Sequence, residues 1–468
     1  MRSPPDAALP PASLPVQLAP DVRVGEDGRL VTGGTPFRLM RLSARGAEVL
    51  GRWRARPAPV GDAPGARALA RRLLDTGLLD AVPPPATALD DLSIVVPTRD
   101  RAPDLARCLT ALGATAPGVP ILVVDDGSRD PAAVAAAAAA HGAALVRHDV
   151  NRGPAAARTT GIARTTGTLV AFVDSDVVVG PDPAWLKQLV AHFADPRVGA
   201  AAPRVLGLDP PSGWIAGYES RRSSLDMGGR AGLAAPGRRL GHVPATTLVV
   251  RRAAAPEGGF DPALRVGEDV DFVWRMAAAG WLVRYEPRAR VRHAHRVSPL
   301  AFAARRRDYA RSVAPLALRH PRALPALRAD WAMVAALALL ASGRRRGALG
   351  FVSLRTVRLH RELRAHTEQP TRLAVRLAAR DAIGSARGVS HALRRAWSPI
   401  VLLVAIRRPR AALLLVLAAL SRLLDRDGPR RPGDVVLDGV DDLIAATGTW
   451  EGCVRHRTPR PLLPALRR

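Results

Sequence analysis

From Leu92 onward, short β-branched runs alternate with segments of helical spacing, and each run ends in polar residues. LSIVVP leads into TRD, PILVVDD into GS, and GTLVAFVD into SD. The stretches APDLARCLTALGA, 131–140 and 154–166 read as helices, and AALVRHD as a further strand. A parallel strand is buried on both faces and needs a crossover to reach its neighbour. This alternation therefore predicts βαβ units and a mostly parallel sheet, an α/β domain. Such sheets bind ligands beyond the carboxyl ends of their strands. Residues 97–100, 125–128 and 174–176 all fall at such ends, so three strands aim polar groups at one edge.

The carboxylates at that edge suggest the chemistry. Asp174 and Asp176 repel one another unless a divalent cation lies between them. Alternate strand positions face the same way, so both can serve one site if the strand continues. Mg2+ or Mn2+ takes oxygen ligands and is commonly completed by substrate phosphates. At a second strand end, Asp125 and Asp126 can accept hydrogen bonds from a base or ribose. NRGPAAARTTG brings Asn151, Gly153 and Arg158 to a helix start, whose free N–H groups favour an anionic phosphate. GEDVDF supplies Glu268, Asp269 and Asp271 at the opening of another helix. RHAHR offers His293 and His295 as candidates for a third metal ligand, of which His293 is the choice.

The flanks differ from this core. Residues 1–20 are rich in proline and alanine and read as a mobile tail. A small α+β, winged-helix-like unit follows over 21–85. VRVGEDGRLVTGG predicts two short strands around a turn at 26–28, Ser43 an N-cap, and 67–75 a second helix. AVPPPATAL reads as a linker, 90–300 as the α/β domain that carries the clustered carboxylates, and 301–468 as helical and arginine-rich.

The run IVLLVAIRRPRAALLLVLAAL would place Arg407, Arg408 and Arg410 inside a bilayer, which argues against a spanning helix. Peripheral membrane contact through the C-terminal helices remains open. The formal charge of +28 invites a nucleic-acid reading, but aromatics are only 4% and no zinc-finger or basic–aromatic motif accompanies it. Cys108 and Cys453 lie far apart and form no disulfide framework, and the N-terminus lacks a continuous apolar core. The expected location is cytoplasmic, at the inner face of the plasma membrane if the rear helices touch lipid.

The order SIVVPTRDR, VVDDGS, NRGPAAARTTG, FVDSD, GEDVDF resembles the family-2 inverting glycosyltransferases with the glycosyltransferase-A fold, over roughly residues 92–300. The resemblance implies that Pro97, Asp100 and Asp126 contact the nucleotide and that Asp174 and Asp176 hold metal and donor diphosphate. It makes Asp269 the general base, with Glu268 tuning it. Thr159 departs from the asparagine common in the family. The Q-x-x-R-W signature of processive synthases is absent.

GGTPFRLMRLSARGAEVL is similar to PqqD-like peptide-binding modules. Such a module fused to this domain, with ESRRSSLDMG at 219–228, resembles the glycosyltransferases of mycofactocin biosynthesis. That resemblance implies UDP-glucose as donor and an acceptor derived from a modified Val-Tyr dipeptide, extended with β-1,4-linked glucose. A transferase of cell-wall or lipid-linked glycans is the alternative, and a non-catalytic peptide-binding scaffold the second. Trp214 and Tyr218 are candidates for stacking on a sugar or tyrosine-derived ring.

Overall fold

The computed structural model describes residues 8–25, 27–180, 182, 184–208, 213–294, 298–421 and 432–467. The chain divides into two compact units, Met1–Val297 and Ser298–Arg468.

The centre of the first unit is a nine-stranded mixed sheet. Its order is Val177–Val179, Leu282–His293, Val198–Gly207, Thr247–Arg251, Leu169–Val173, Leu92–Thr98, Ile121–Asp125 and Ala144–Arg147, with Gly232–Leu233 pairing along Leu282–His293. The last four strands of that order are mutually parallel, as the alternation predicts. The other half is not. Thr247–Arg251 runs antiparallel to both neighbours, as does Val177–Val179 to Leu282–His293. Leu92–Thr98 and Leu169–Val173 are buried at every position, consistent with helices covering both faces. Ile94, Val96, Leu109, Val123, Ala171, Leu186 and Val249 belong to one continuous core.

Helix Ala102–Thr115 follows the first parallel strand, Pro131–Ala140 the second and Pro154–Arg164 the third. The last of these packs so closely on the sheet that a Cβ at Gly161 would stand 2.3 Å from Val95 Cγ1.

The N-terminal module has its own core around Leu50, Trp53, Leu73 and Leu78. Helix Ala44–Ala55 is capped by Ser43, whose Oγ accepts from Gly46 N at 3.1 Å. Helix Pro64–Thr76 ends at Gly77, held at φ 73, a left-handed conformation that suits glycine. The tail expectation needs correcting. Pro15–Leu18 is a strand paired with Ala58–Pro59 and Leu79–Ala81, because Leu14 and Val16 are apolar anchors that the proline-rich composition obscured. Arg71 Nη1 binds both oxygens of Asp195 (2.8 and 2.9 Å), and Arg284 reaches Asp80 at 3.1 Å. These pairs tie the module to the loop before Val198–Gly207 and to the strand Leu282–His293.

The second unit is mainly helical, as expected, with one parallel pair of short strands, Leu327–Asp330 and Pro464–Arg467. Among the described residues no single helix is long and apolar enough to cross a membrane. The run around Arg407 is broken into helices Ser398–Arg407 and Ala412–Leu420.

Candidate active site

The carboxyl ends of the parallel strands carry the expected polar groups. Leu169–Val173 stops before Asp174 and does not continue through Asp176 as the pleat argument required. The two carboxylates sit instead on a tight turn, closed by Val177 N donating to Asp174 O at 3.0 Å and tied to the sheet by Asp174 N donating to Thr246 O at 2.8 Å.

From this turn the side chains diverge to different partners. Asp176 pairs with Arg101, from the loop after the first strand, and with His293 Nε2 at 3.2 Å. Burial works to raise the Asp176 carboxyl, but the hydrogen bond and charge of His293, with Arg101, outweigh it and hold the group well below the usual range. Asp174 Oδ1 accepts from Arg158 Nη2 at 2.7 Å. Burial pushes this carboxyl up, and Arg158 offsets the push only in part. Beneath the turn lies Cys108, whose buried thiol is pushed up to about 12; neither cysteine is in a disulfide.

Arg158 departs from its expected role. It lies in the second turn of its helix, not the first, and is only 4% exposed. Its other terminal nitrogen donates to Glu268 Oε1 at 2.9 Å, and the guanidinium lies 5.6 Å from the centre of the Phe260 ring. Phe260 stacks in turn on Phe272 at 3.9 Å. One buried cation thus bridges a carboxylate of the Asp174–Asp176 turn and a carboxylate of the E-D pair, rather than facing solvent at a helix end. Burial and the neighbouring Asp269 charge push Glu268 up to about 7, against the pull of Arg158.

Asp269 opens the helix Glu268–Ala278 beside it and is half-buried. Its Oδ1 accepts from Val270 N at 2.8 Å and its Oδ2 from Ala245 N at 3.3 Å. The same helix grips the loop before Thr247–Arg251 a second time, through Trp274 Nε1 donating to Gly241 O at 2.7 Å. That loop carries His242, which sequence reasoning missed. Burial lowers its imidazole pKa although the Asp269 charge acts to raise it. A lone histidine in GHVPATT gives no signal in one dimension.

At the second strand end, Asp125 and Asp126 act as struts. Asp125 pairs with Arg147 and accepts from Ser128 N at 3.0 Å. Asp126 Oδ1 accepts from Arg152 N (2.9 Å) and meets His148 Nδ1 (2.8 Å), while Oδ2 accepts from Gly153 N (2.7 Å). His148 Nε2 continues to Thr160 Oγ1 at 2.9 Å. Asn151 Oδ1 also accepts from Gly153 N, at 3.0 Å, and Gly153 adopts φ 94. Asp126 therefore shapes the 151–153 loop, the helix start that the sequence marks for an anionic phosphate.

Pro97 is buried in its strand. Asp100, at φ 56, receives Arg129 N at 2.8 Å and donates its own N–H to Ser128 Oγ at 2.9 Å, cross-linking the first two strand ends. Thr159 is a strut to Phe260, with Oγ1 accepting its N–H at 2.9 Å. Trp214 is exposed, Tyr218 is buried, and His295 lies outside the described residues.

Among the described residues no three His, Cys, Asp or Glu side chains form a ready-made metal cage. The donor set at the turn, two carboxylates and an imidazole, nevertheless has the chemistry for Mg2+ or Mn2+, which commonly takes only one or two protein carboxylates and completes its shell with substrate phosphates.

A half-parallel sheet with clustered carboxylates at its strand ends and an acidic helix start facing them defines a glycosyltransferase of the glycosyltransferase-A fold. The chain belongs to glycosyl transferase family 2, whose family model matches residues 93–256. It is similar over nearly its whole length to the pre-mycofactocin glycosyltransferase of Mycobacterium tuberculosis, with 36% identity over 477 residues covering 98% of each chain. The N-acetylglucosaminyl-diphospho-decaprenol L-rhamnosyltransferase of the same organism is 30% identical over 237 residues, 44% of this chain and 76% of that one. Among solved structures, a Pyrobaculum calidifontis mannosyltransferase in complex with GDP-Man and Mn2+ is similar at 21% identity and a TM-score of 0.39. The match covers 64% of this chain and 88% of that one.

Proposed function

We propose that the protein is a metal-dependent inverting hexosyltransferase that moves glucose from UDP-glucose onto a mycofactocin precursor, extending it in β-1,4 linkage. The observation that supports this most is the similarity to the pre-mycofactocin enzyme through the N-terminal module as well as the catalytic domain. The rhamnosyltransferase match covers under half of the chain.

In this reading Asp269 is the general base. Its carboxylate, oriented by Val270 N and Ala245 N, takes the proton of an acceptor hydroxyl. The freed oxygen attacks the anomeric carbon on the face opposite the diphosphate, so configuration inverts as the sugar–phosphate bond breaks. Arg158 keeps Glu268 and Asp174 in place by neutralising part of their charge. Asp174, Asp176 and His293 would hold a divalent cation, which supplies positive charge for the departing diphosphate. The N-terminal module would present the peptide-derived acceptor.

The test is incubation of the purified protein with a panel of nucleotide sugars and either premycofactocin or a polyprenyl-linked acceptor, read by mass spectrometry. Hexose added to premycofactocin from UDP-glucose supports the proposal. Product on the lipid alone overturns the acceptor. The Asp269→Asn variant should lose about 10²–10⁴-fold in kcat while keeping its melting temperature. If it matches wild type, Asp269 is not the base; if wild type shows no turnover of any donor, the scaffold reading prevails.

A further inference from the structure

The second unit contains 32 arginines and 12 carboxylates, so it carries +20 of the chain's formal +28. Its acidic side chains are largely turned inward or paired. Asp434, Asp438, Asp441 and Asp442 are buried, Asp330 and Asp381 flank Arg355, and Glu451 pairs with Arg307 and Arg311. The outer surface is therefore strongly basic.

Apolar exposure is concentrated in the same unit. Of the large hydrophobic side chains exposed among the described residues, all but Leu145, Val150 and Trp214 belong to it. They are densest on the successive helices Ser398–Arg407 and Ala412–Leu420, where Leu403, Ile406, Leu413 and Leu417 are 68%, 78%, 58% and 63% exposed. Only a narrow strip faces inward, through Val401 and Ala418. The Ala418 carbonyl accepts from Ser390 Oγ at 3.0 Å and from Arg394 Nη1 at 2.8 Å. Segment 398–420 contains no acidic residue, and Arg407 and Arg408 at its break are exposed.

Neither helix is long enough to span by itself, and the one pair among the described residues that reaches spanning length, Pro370–Arg395 with Ser398–Arg407, is bent by 78° at its break. Ten and nine residues make rods of about 15 Å, half the hydrocarbon core of a bilayer. The arginines at the break would otherwise lie near the bilayer centre. A second copy of the chain is a poor fit, because it would bring one basic surface against another. An anionic lipid surface meets both needs, phosphate charge for the arginines and an acyl boundary for the leucines.

We propose that helices 398–407 and 412–420 form an interfacial anchor that lies in the surface of an anionic bilayer, with Leu403, Ile406, Leu413 and Leu417 inserted and Arg407 and Arg408 against lipid phosphates. The anchor does not depend on the donor or acceptor assigned above.

Flotation of the full chain with vesicles of phosphatidylcholine, alone or with an equal part of phosphatidylglycerol, tests it. Binding to the anionic vesicles and little to the neutral ones is expected. R407A/R408A should weaken binding about thirtyfold, and L403D/I406D/L417D should abolish it with the melting curve unchanged. Ile406→Trp provides a reporter that tolerates the native fold, and its added fluorescence should be quenched by brominated lipid. Three results overturn the proposal. The first is no flotation with anionic vesicles; the second is wild-type flotation of the folded triple variant or an unquenched Trp at 406. The third is light scattering that finds a dimer dissociated by the triple variant while neither protein floats, which makes a second copy the occupant.

Discussion

Arg158 is the residue on which the electrostatics of the site turn. Replacing it with methionine keeps most of the stem volume but removes the cation between Asp174 and Glu268. Breaking a buried ion pair on one side costs about 3–5 kcal/mol, which lowers the melting temperature by about 5–15 °C. The loss should depend on pH. Burial already pushes Glu268 up to about 7 from an ordinary value of 4.5, and Arg158 is what holds it from rising further. An acid raised in the folded state keeps a proton that the unfolded chain has released, so stability falls as pH climbs from the unfolded pKa through the folded one. In wild type that decline ends near pH 7; in the variant it continues above. The deficit should therefore be small at pH 5.5 and large at pH 8.5. Differential scanning fluorimetry at both values measures it. Arg158→Lys, which keeps charge but not the two-pronged geometry, should recover part of the high-pH loss. An equal deficit at both pH values would refute the counter-ion argument and leave only packing over the Phe260 ring.

Three further outcomes follow from the same geometry. Chelation with EDTA should stop sugar transfer and Mn2+ or Mg2+ should restore it, whereas undiminished turnover in EDTA removes the cation from the proposal. His148→Ala deprives Asp126 of its imidazole partner and should cost about 1–3 kcal/mol, raising KM for the donor more than it lowers kcat; an unchanged KM separates the strut from the nucleotide loop. Gly161→Ala forces a methyl group against Val95 and should cost about 1–3 kcal/mol in thermal unfolding, with activity per folded molecule retained; an unaltered melt would mean that helix and sheet can separate without strain.

What was legible in the sequence and what was not divides along a physical line. Strand and helix periodicity is local, so the parallel half of the sheet and the polar ends of its strands could be read directly. The other half could not, because Val198–Gly207 runs parallel to Leu282–His293 but antiparallel to Thr247–Arg251, a pairing fixed by tertiary contacts. The strand Pro15–Leu18 is hidden for the opposite reason. Leu14 and Val16 are ordinary apolar residues in a proline-rich stretch, and only their burial against the module's helices reveals a strand.

At the site, the acidic residues could be picked out because a carboxylate at the end of an apolar strand is locally costly. Their partners carried no comparable cost. Arg158 meets Glu268 across 110 positions and Arg101 meets Asp176 across 75, in a chain offering 69 cationic side chains, each of them comfortable in water. Local sequence thus marks where charge has been placed against its own preference. Which cation answers it is decided by the crossing of strands, and that decision turned an arginine expected at a phosphate-binding helix start into the buried bridge between Asp174 and Glu268.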